Sequence, residues 1–309
     1  MRASVCILLI FSCILTHAQK KQVCFTFDDL PIVNYGITDT SYQKDLFEKL
    51  VLSLKNNKIP AIGFVNERKL FNNENVISFQ VELLYHWVDN GLELGNHTYS
   101  HPDYNNVSFK VYSQDILKGE TITKAILKSK GANIKYFRHP FLHVGNSKAK
   151  ADSLDNFLLQ HGYTVAPVTI DNEDYLFALA YKRAKDKHDD NLTKQIGHDY
   201  IDYMEGKIKY FERQANKLFS RDINQILLLH ASALNSDYVD SLANMFRRNN
   251  YGFVNMDKAL EDVAYKTPIT VYSNWGISWI DKWALSQGKK GDFFKEEPIT
   301  PDYVKKLAE

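Results

Sequence analysis

Short apolar runs recur along the chain at intervals that leave room for a helix between them. They fall at 23–27 (VCFTF), 59–65 (IPAIGFV), 92–95 (LELG), 134–137 (IKYF), 163–170 (YTVAPVTI), 226–229 (ILLL) and 251–256 (YGFVNM). Each is short and nearly continuous, which is how a strand buried on both faces reads. Helical periodicity fills several of the gaps. In 41–57 Leu46, Leu50, Val51 and Leu54 share one face; in 76–89 Val81, Leu84, Tyr85 and Val88 do; in 237–249 Val239, Leu242, Met245 and Phe246 do. Asn- and Gly-rich stops follow these segments, as in NNK, NG and NNYG. Strands alternating with helices predict parallel βα units, and seven such strands predict an α/β fold of the (β/α)7 barrel type, with fewer than eight staves.

In such barrels chemistry gathers at the carboxyl ends of the strands, and five of the seven runs end on ionisable or metal-ligating residues. These are Asp28 and Asp29, Asn96 and His97, Arg138 and His139, Asp171 and Asp174, and His230. A barrel built only for structure would show mixed loop residues there.

Composition narrows the frame. The chain has 309 residues, 44% of them hydrophobic, enough for one large domain. The 38 Lys and Arg against 37 Asp and Glu leave a net charge of +1, so nothing points to nucleic acid or anionic lipid. At the start, Arg2, an 11-residue apolar run (VCILLIFSCIL) and THAQKK form a secretory signal pattern with cleavage expected after Ala18. The run is shorter than the roughly 20 apolar residues a bilayer span needs, so no integral membrane segment is expected after cleavage. Lipidation at Cys13 fits less well, because bulky Phe11 precedes it. Cys24 alone remains, inside an apolar run, and is expected to be a buried, inert thiol.

HTYSH, residues 97–101, sets two imidazoles at i and i+4, which on a helical turn face one way and can share a metal ion. Alone, the pattern also fits two surface histidines ahead of the break at Pro102. A converging carboxylate changes that, and Asp28 or Asp29 is the natural third ligand. Two histidines and one carboxylate leave an open position, as catalytic zinc sites do. The second aspartate is then free to take a proton from a water activated by the ion, and the cation offsets the repulsion between adjacent carboxylates.

TFDD, HTYSH, RHPF, DNEDY and LLLH together resemble, in order and spacing, the polysaccharide deacetylase family, the NodB-homology or family four carbohydrate esterases, over about residues 22–258. The resemblance implies catalytic roles for Asp28 as base, Arg138 as its charged orienting partner, His230 as general acid and Asp174 as the carboxylate that tunes His230. It implies a metal site of Asp29, His97 and His101 holding one divalent ion, Zn2+ with Co2+ or Ni2+ as alternatives. It implies a substrate-binding role for Pro140, whose following backbone N–H would hold the oxyanion, and for Phe141, Leu228 and Tyr175. The implied activity is a deacetylase that hydrolyses N-acetyl groups of amino-sugar glycans and releases acetate, and the signal pattern adds export, to the periplasm, the cell surface or the medium. An O-acetyl esterase acting on a glycan such as xylan, and a non-catalytic carbohydrate-binding relative, are the alternatives.

The chain departs from the family pattern at Phe141, where Tyr is usual, at Tyr175, where Trp is common, and at Ala231, where Asp is frequent; none removes a catalytic group. His139 and His143 receive no role, and His86, His161, His188 and His198 read as surface residues. The domain expectation is a signal peptide over 1–18, a catalytic domain over 19–265 and a packed extension over 266–309. In that extension Trp275, Trp279 and Trp283 are spaced as one helical stripe, expected to pack on the barrel, with a sugar-stacking platform as the alternative. The charged run 182–195 reads as a solvated helix or loop.

Overall fold

The computed structural model describes residues 20–309, so the signal-peptide reading lies outside the described residues. Seven strands form one parallel sheet: β1 (Lys21–Leu30), β2 (Ile62–Val65), β3 (Glu93–Asn96), β4 (Tyr136–Phe137), β5 (Thr164–Val165), β6 (Gln225–His230) and β7 (Tyr251–Phe253). The spatial order is β5-β4-β3-β2-β1-β6, with β7 paired to the start of β1. Each strand coincides with one of the apolar runs. The sheet curls, and the chain beyond β5 reaches back to β6. Ile170 pairs with Leu227 there, and the Ile170 N–H donates to Ile226 O at 3.0 Å. The Leu228 N–H returns a bond to Ile170 O at 3.2 Å and Asn172 Nδ2 donates to Leu228 O at 2.7 Å, so this short stretch ties the seam of the curled sheet.

The helices are α1 (Thr40–Asn56), α2 (Ser78–Asp89), α3 (Phe109–Lys118), α4 (Thr121–Ser129), α5 (Lys148–Gln160), α6 (Asp174–Asp186), α7 (Asp190–Phe219), α8 (Ala233–Arg248), α9 (Met256–Leu260), α10 (Trp279–Ser286) and α11 (Asp302–Ala308). None is long and apolar enough to cross a membrane. Alternation along β1 divides its side chains between two layers. Phe25 and Phe27 point to the helices, where Phe25 meets Phe246 of α8 and Phe27 meets Trp87 of α2, both edge-on. Cys24 lies buried on the other side with Ile62, Phe64, Tyr136 and Ile226.

The predicted faces of α1 and α8 are the buried ones. On α2 the buried residues are Leu83, Leu84 and Trp87, while Tyr85 is exposed. Trp87 claims that face because its ring fills the space between Phe27 and Phe47. The charged run 182–195 spans the end of α6, a tight turn and the start of α7.

The Trp stripe is corrected in part. Trp279 and Trp283 lie in α10 and are buried, the former donating its backbone N–H to Val168 O at 2.6 Å. Trp275 precedes the helix, in an extended arm, and is 63% exposed. Ser278 caps α10 and so starts the helix one turn after Trp275.

Candidate active site

Two adjacent carboxylates can face one site only if the strand is not regular, and β1 is not. Phe27 pairs with Gly63 but Leu30 pairs with Val65, so β1 holds one extra residue at Asp28–Asp29. Asp28 keeps the inward line of Cys24 and Thr26. Asp29 adopts φ 62° and is thereby turned towards the same side.

Arg138, the residue after β4, is fully buried and receives Asp28. Its Nη1 donates to both Asp28 oxygens at 3.1 and 3.2 Å, its Nε to Ala166 O at 2.8 Å and its Nη2 to Thr26 Oγ1 at 3.0 Å. The guanidinium lies 4.6 Å over the Phe64 ring. Burial is the strongest influence on Asp28 and lifts its carboxyl above the usual range, with Arg138 and His230 pulling back without cancelling it. Arg138 is thus placed as an ion-pair partner of Asp28, while desolvation outweighs it in setting the Asp28 carboxyl.

Asp29, His97 and His101 converge, each offering one ligand atom, all within 4.8 Å of one another. The HTYSH segment is not a helical turn as expected. Thr98 and His101 have φ 67° and 57°. The turn is held instead by Asp115, which accepts the Tyr99 and Ser100 N–H groups at 2.9 and 2.8 Å, and by Thr98 Oγ1, which accepts the His101 N–H at 3.0 Å. Positive φ at Asp29, Thr98, His101 and Phe141 concentrates backbone strain around one point, a pattern common at functional sites.

The donor set suits a divalent cation. His97 Nδ1 lies 2.8 Å from Arg138 O; a carbonyl only accepts, so Nδ1 carries the proton and Nε2 presents its lone pair. That Nε2 is 3.9 Å from Asp29 Oδ1, and His101 Nε2 is 3.8 Å from the same oxygen. Burial pushes both imidazoles down to about 4, keeping them neutral. Burial alone would raise the Asp29 carboxyl, but Lys69, then His97 and His101, outweigh it and hold it well below the usual range. The Lys69 ammonium also donates to Asp29 O at 2.7 Å.

Across β1 from this group, β6 brings His230 into register with Asp28. Asp174, fully buried at the start of α6, accepts His230 Nδ1–H at 2.7 Å and the His230 backbone N–H at 2.8 Å. Asn235 Nδ2 donates to the same carboxylate at 2.8 Å, and Tyr200 holds Asn235 Oδ1 at 2.7 Å. Burial would lower the imidazole, but Asp174 prevails and raises it to about 9. His230 therefore stays protonated at neutral pH with Nε2 left for the cleft.

The polysaccharide deacetylase family profile matches residues 16–166. Over that stretch the chain is similar to the polysaccharide deacetylase family. It is 27% identical over 141 residues to a peptidoglycan-N-acetylglucosamine deacetylase of Bacillus cereus, a match covering 46% of this chain and 44% of that protein. The chain thus spans less than half the length of that curated relative. Among solved structures it resembles a mutant form of the peptidoglycan deacetylase PdaC of Bacillus subtilis, 19% identical, with a TM-score of 0.50 over 80% of this chain and 93% of that one. The second likeness bears on the fold alone.

A cleft of about 600 Å³ is lined by Asp28, Asp29, His97, His101 and His230, and by Leu228, Phe141 and Tyr175. Arg138 and Asp174 stand behind it. Pro140 is buried in the adjoining turn, which Leu142 N–H to His139 O (3.0 Å) and His143 N–H to Pro140 O (3.1 Å) close. Phe141 takes φ 56° there and its ring packs edge-on against His101, 4.5 Å between centroids. Cys24 is buried and its thiol is pushed up by desolvation, as an inert core residue requires. Three residues that the motifs do not mark complete the site. Lys69 comes from a short 3-10 turn, Asn235 from the first turn of α8, and His143 lines the cleft with Nδ1 held 2.7 Å from Asp103. A polar residue three positions after the Ser232 cap was the only local sign of Asn235.

Proposed function

We propose that this chain is a metal-dependent hydrolase that removes N-acetyl groups from amino-sugar polysaccharides or oligosaccharides and releases acetate. The observation that carries the reading is the register of β1 with β6. It sets a raised carboxyl, Asp28, beside a protonated imidazole, His230, in the cleft that also holds Asp29, His97 and His101. A divalent cation held by those three residues supplies Lewis-acid polarisation and water activation. Asp28 accepts a proton from the attacking water. The acyl carbon becomes tetrahedral as water oxygen bonds to it. His230 then donates from Nε2 to the departing nitrogen, the C–N bond breaks, and acetate and a free amine leave. The name of the Bacillus cereus relative supports an N-acetylglucosamine substrate. Export is part of the proposal and is supported by the signal pattern of residues 1–18.

Acetate release from N-acetylglucosamine oligomers tests the reading. Zinc is expected to bind in a 1:1 ratio, to leave with a chelator together with activity, and to restore activity when returned; His101→Ala is expected to lose both. Release confined to acetylated xylan would overturn the amide assignment.

The His230–Asp174 pair predicts the alkaline limb of the pH profile. The group is raised from 6.5 to about 9, so its protonated form, and the stability it contributes, is complete below about 6.5 and lost as pH rises through about 9. Asp174→Asn removes the anionic partner and is expected to move the fall in kcat to lower pH. An unmoved limb would show that another group supplies the proton.

A further inference from the structure

The cleft is not closed by the barrel alone. Gly276, in the arm between a short 3-10 turn (Val263–Lys266) and α10, lines it. A Cβ at Gly276 would lie 2.0 Å from Phe141 O and 3.3 Å from His143 Nε2, so the arm runs in backbone contact with the turn beside the reaction centre. Its position is fixed from several sides. Asn146 Nδ2 donates to Asn274 Oδ1 at 2.9 Å, Ser286 Oγ accepts the Thr270 N–H at 2.9 Å, and the α10 anchor Trp279 is buried. Yet the residue next to Gly276, Trp275, is 63% exposed, whereas Trp87, Trp279 and Trp283 are buried. Trp275 thus presents its indole to solvent from an arm whose next residue, Gly276, lines the cleft.

The rings between the two places are continuous. His101 packs on Phe141 at 4.5 Å, Phe141 lies 5.8 Å from His143, and His143 Nε2 faces Gly276. Asp103 accepts the His143 Nδ1–H at 2.7 Å, so the other ring nitrogen, Nε2, is the one turned to the arm. We infer that the 268–278 arm builds a sugar subsite beside the reaction centre. In it the Trp275 indole stacks on a pyranose ring of an extended glycan, and His143 Nε2 shares a hydrogen bond with one of its hydroxyls. The apolar face of a pyranose suits an indole, and a polar group beside it sets orientation. This rests on the glycan reading of the cleft and adds to it where a sugar next to the reacting one would be held.

The three other tryptophans are buried, so acrylamide quenching reports on Trp275. The metal-stripped full chain, which cannot turn over, is titrated with an N-acetylglucosamine pentamer and with the monomer. The pentamer is expected to shield Trp275 and the monomer not to, and Trp275→Ala is expected to lose the quenchable component. In the zinc-loaded enzyme, Trp275→Ala is expected to raise KM for the pentamer roughly three- to tenfold, the range of a single stacking contact, with kcat held. Trp275→Tyr should restore most of it, and His143→Ala should also raise KM. A pentamer that leaves quenching unchanged, or a KM indifferent to Trp275→Ala, overturns the subsite. Shielding without acetate release keeps the subsite and removes the proposed chemistry.

Discussion

Asp28→Asn is expected to lower acetate release by on the order of 10²–10⁴-fold, the usual contribution of a positioned general base, while zinc content stays near one per chain. Two neighbouring aspartates invite the opposite assignment, and their surroundings decide between them. Asp29 is held down by Lys69, His97 and His101, which suits a ligand and makes a poor base. Asp28 is lifted by burial against Arg138 and sits in register with His230. Environments that push two carboxyls apart separate their roles. The variant is isosteric and leaves Asp29, His97 and His101 untouched, so acetate release and metal analysis on the same sample read the two roles independently. Activity within about tenfold of wild type would remove Asp28 as the proton acceptor. Loss of zinc with activity would make Asp28 a ligand.

The strands and the strand-end chemistry were legible because parallel strands covered on both faces leave near-continuous apolar runs, and each run found here became a strand. The motif residues lie at those ends. What could not be read was geometry set by distant partners. The bulge at Asp28–Asp29 depends on how β2 registers against β1. The left-handed residues of 97–101 depend on Asp115, from α3. The i, i+4 spacing suggested a helical turn, whereas the two imidazoles meet through a strained loop. Asn235 and Lys69 act on groups far away in sequence, and Trp275 left the helical stripe because Ser278 caps α10 behind it.

Arg138→Met should be the most damaging single change to stability, by about 3–5 kcal/mol at neutral pH, the range for stranding one partner of a buried ion pair. Arg138 is wholly enclosed and its bonds go to Asp28, Thr26 and Ala166, so its removal leaves the Asp28 carboxylate without a counter-ion and a carbonyl without a donor. The deficit should depend on pH in a definite direction. The Asp28 carboxyl is already raised in the folded state, and without Arg138 it rises further. A carboxyl raised on folding destabilises the folded state above its unfolded value of 3.8 and ceases to do so as acid protonates it, so the gap from wild type should narrow as pH falls towards that value. Urea unfolding midpoints across that range measure it. Adding Asp28→Asn to Arg138→Met should recover part of the loss, because the stranded charge is gone, and the double-mutant cycle should show a coupling well beyond the error of the midpoints. Arg138→Lys keeps the charge but not the fork of donors that reaches Asp28, Thr26 and Ala166 together, and it should fall between wild type and Met. A deficit under about 1 kcal/mol at neutral pH, flat with acid, is the value of a solvated pair. It would mean that water reaches Asp28, and the burial that raises this base, and with it the separation of roles between Asp28 and Asp29, would have to be abandoned.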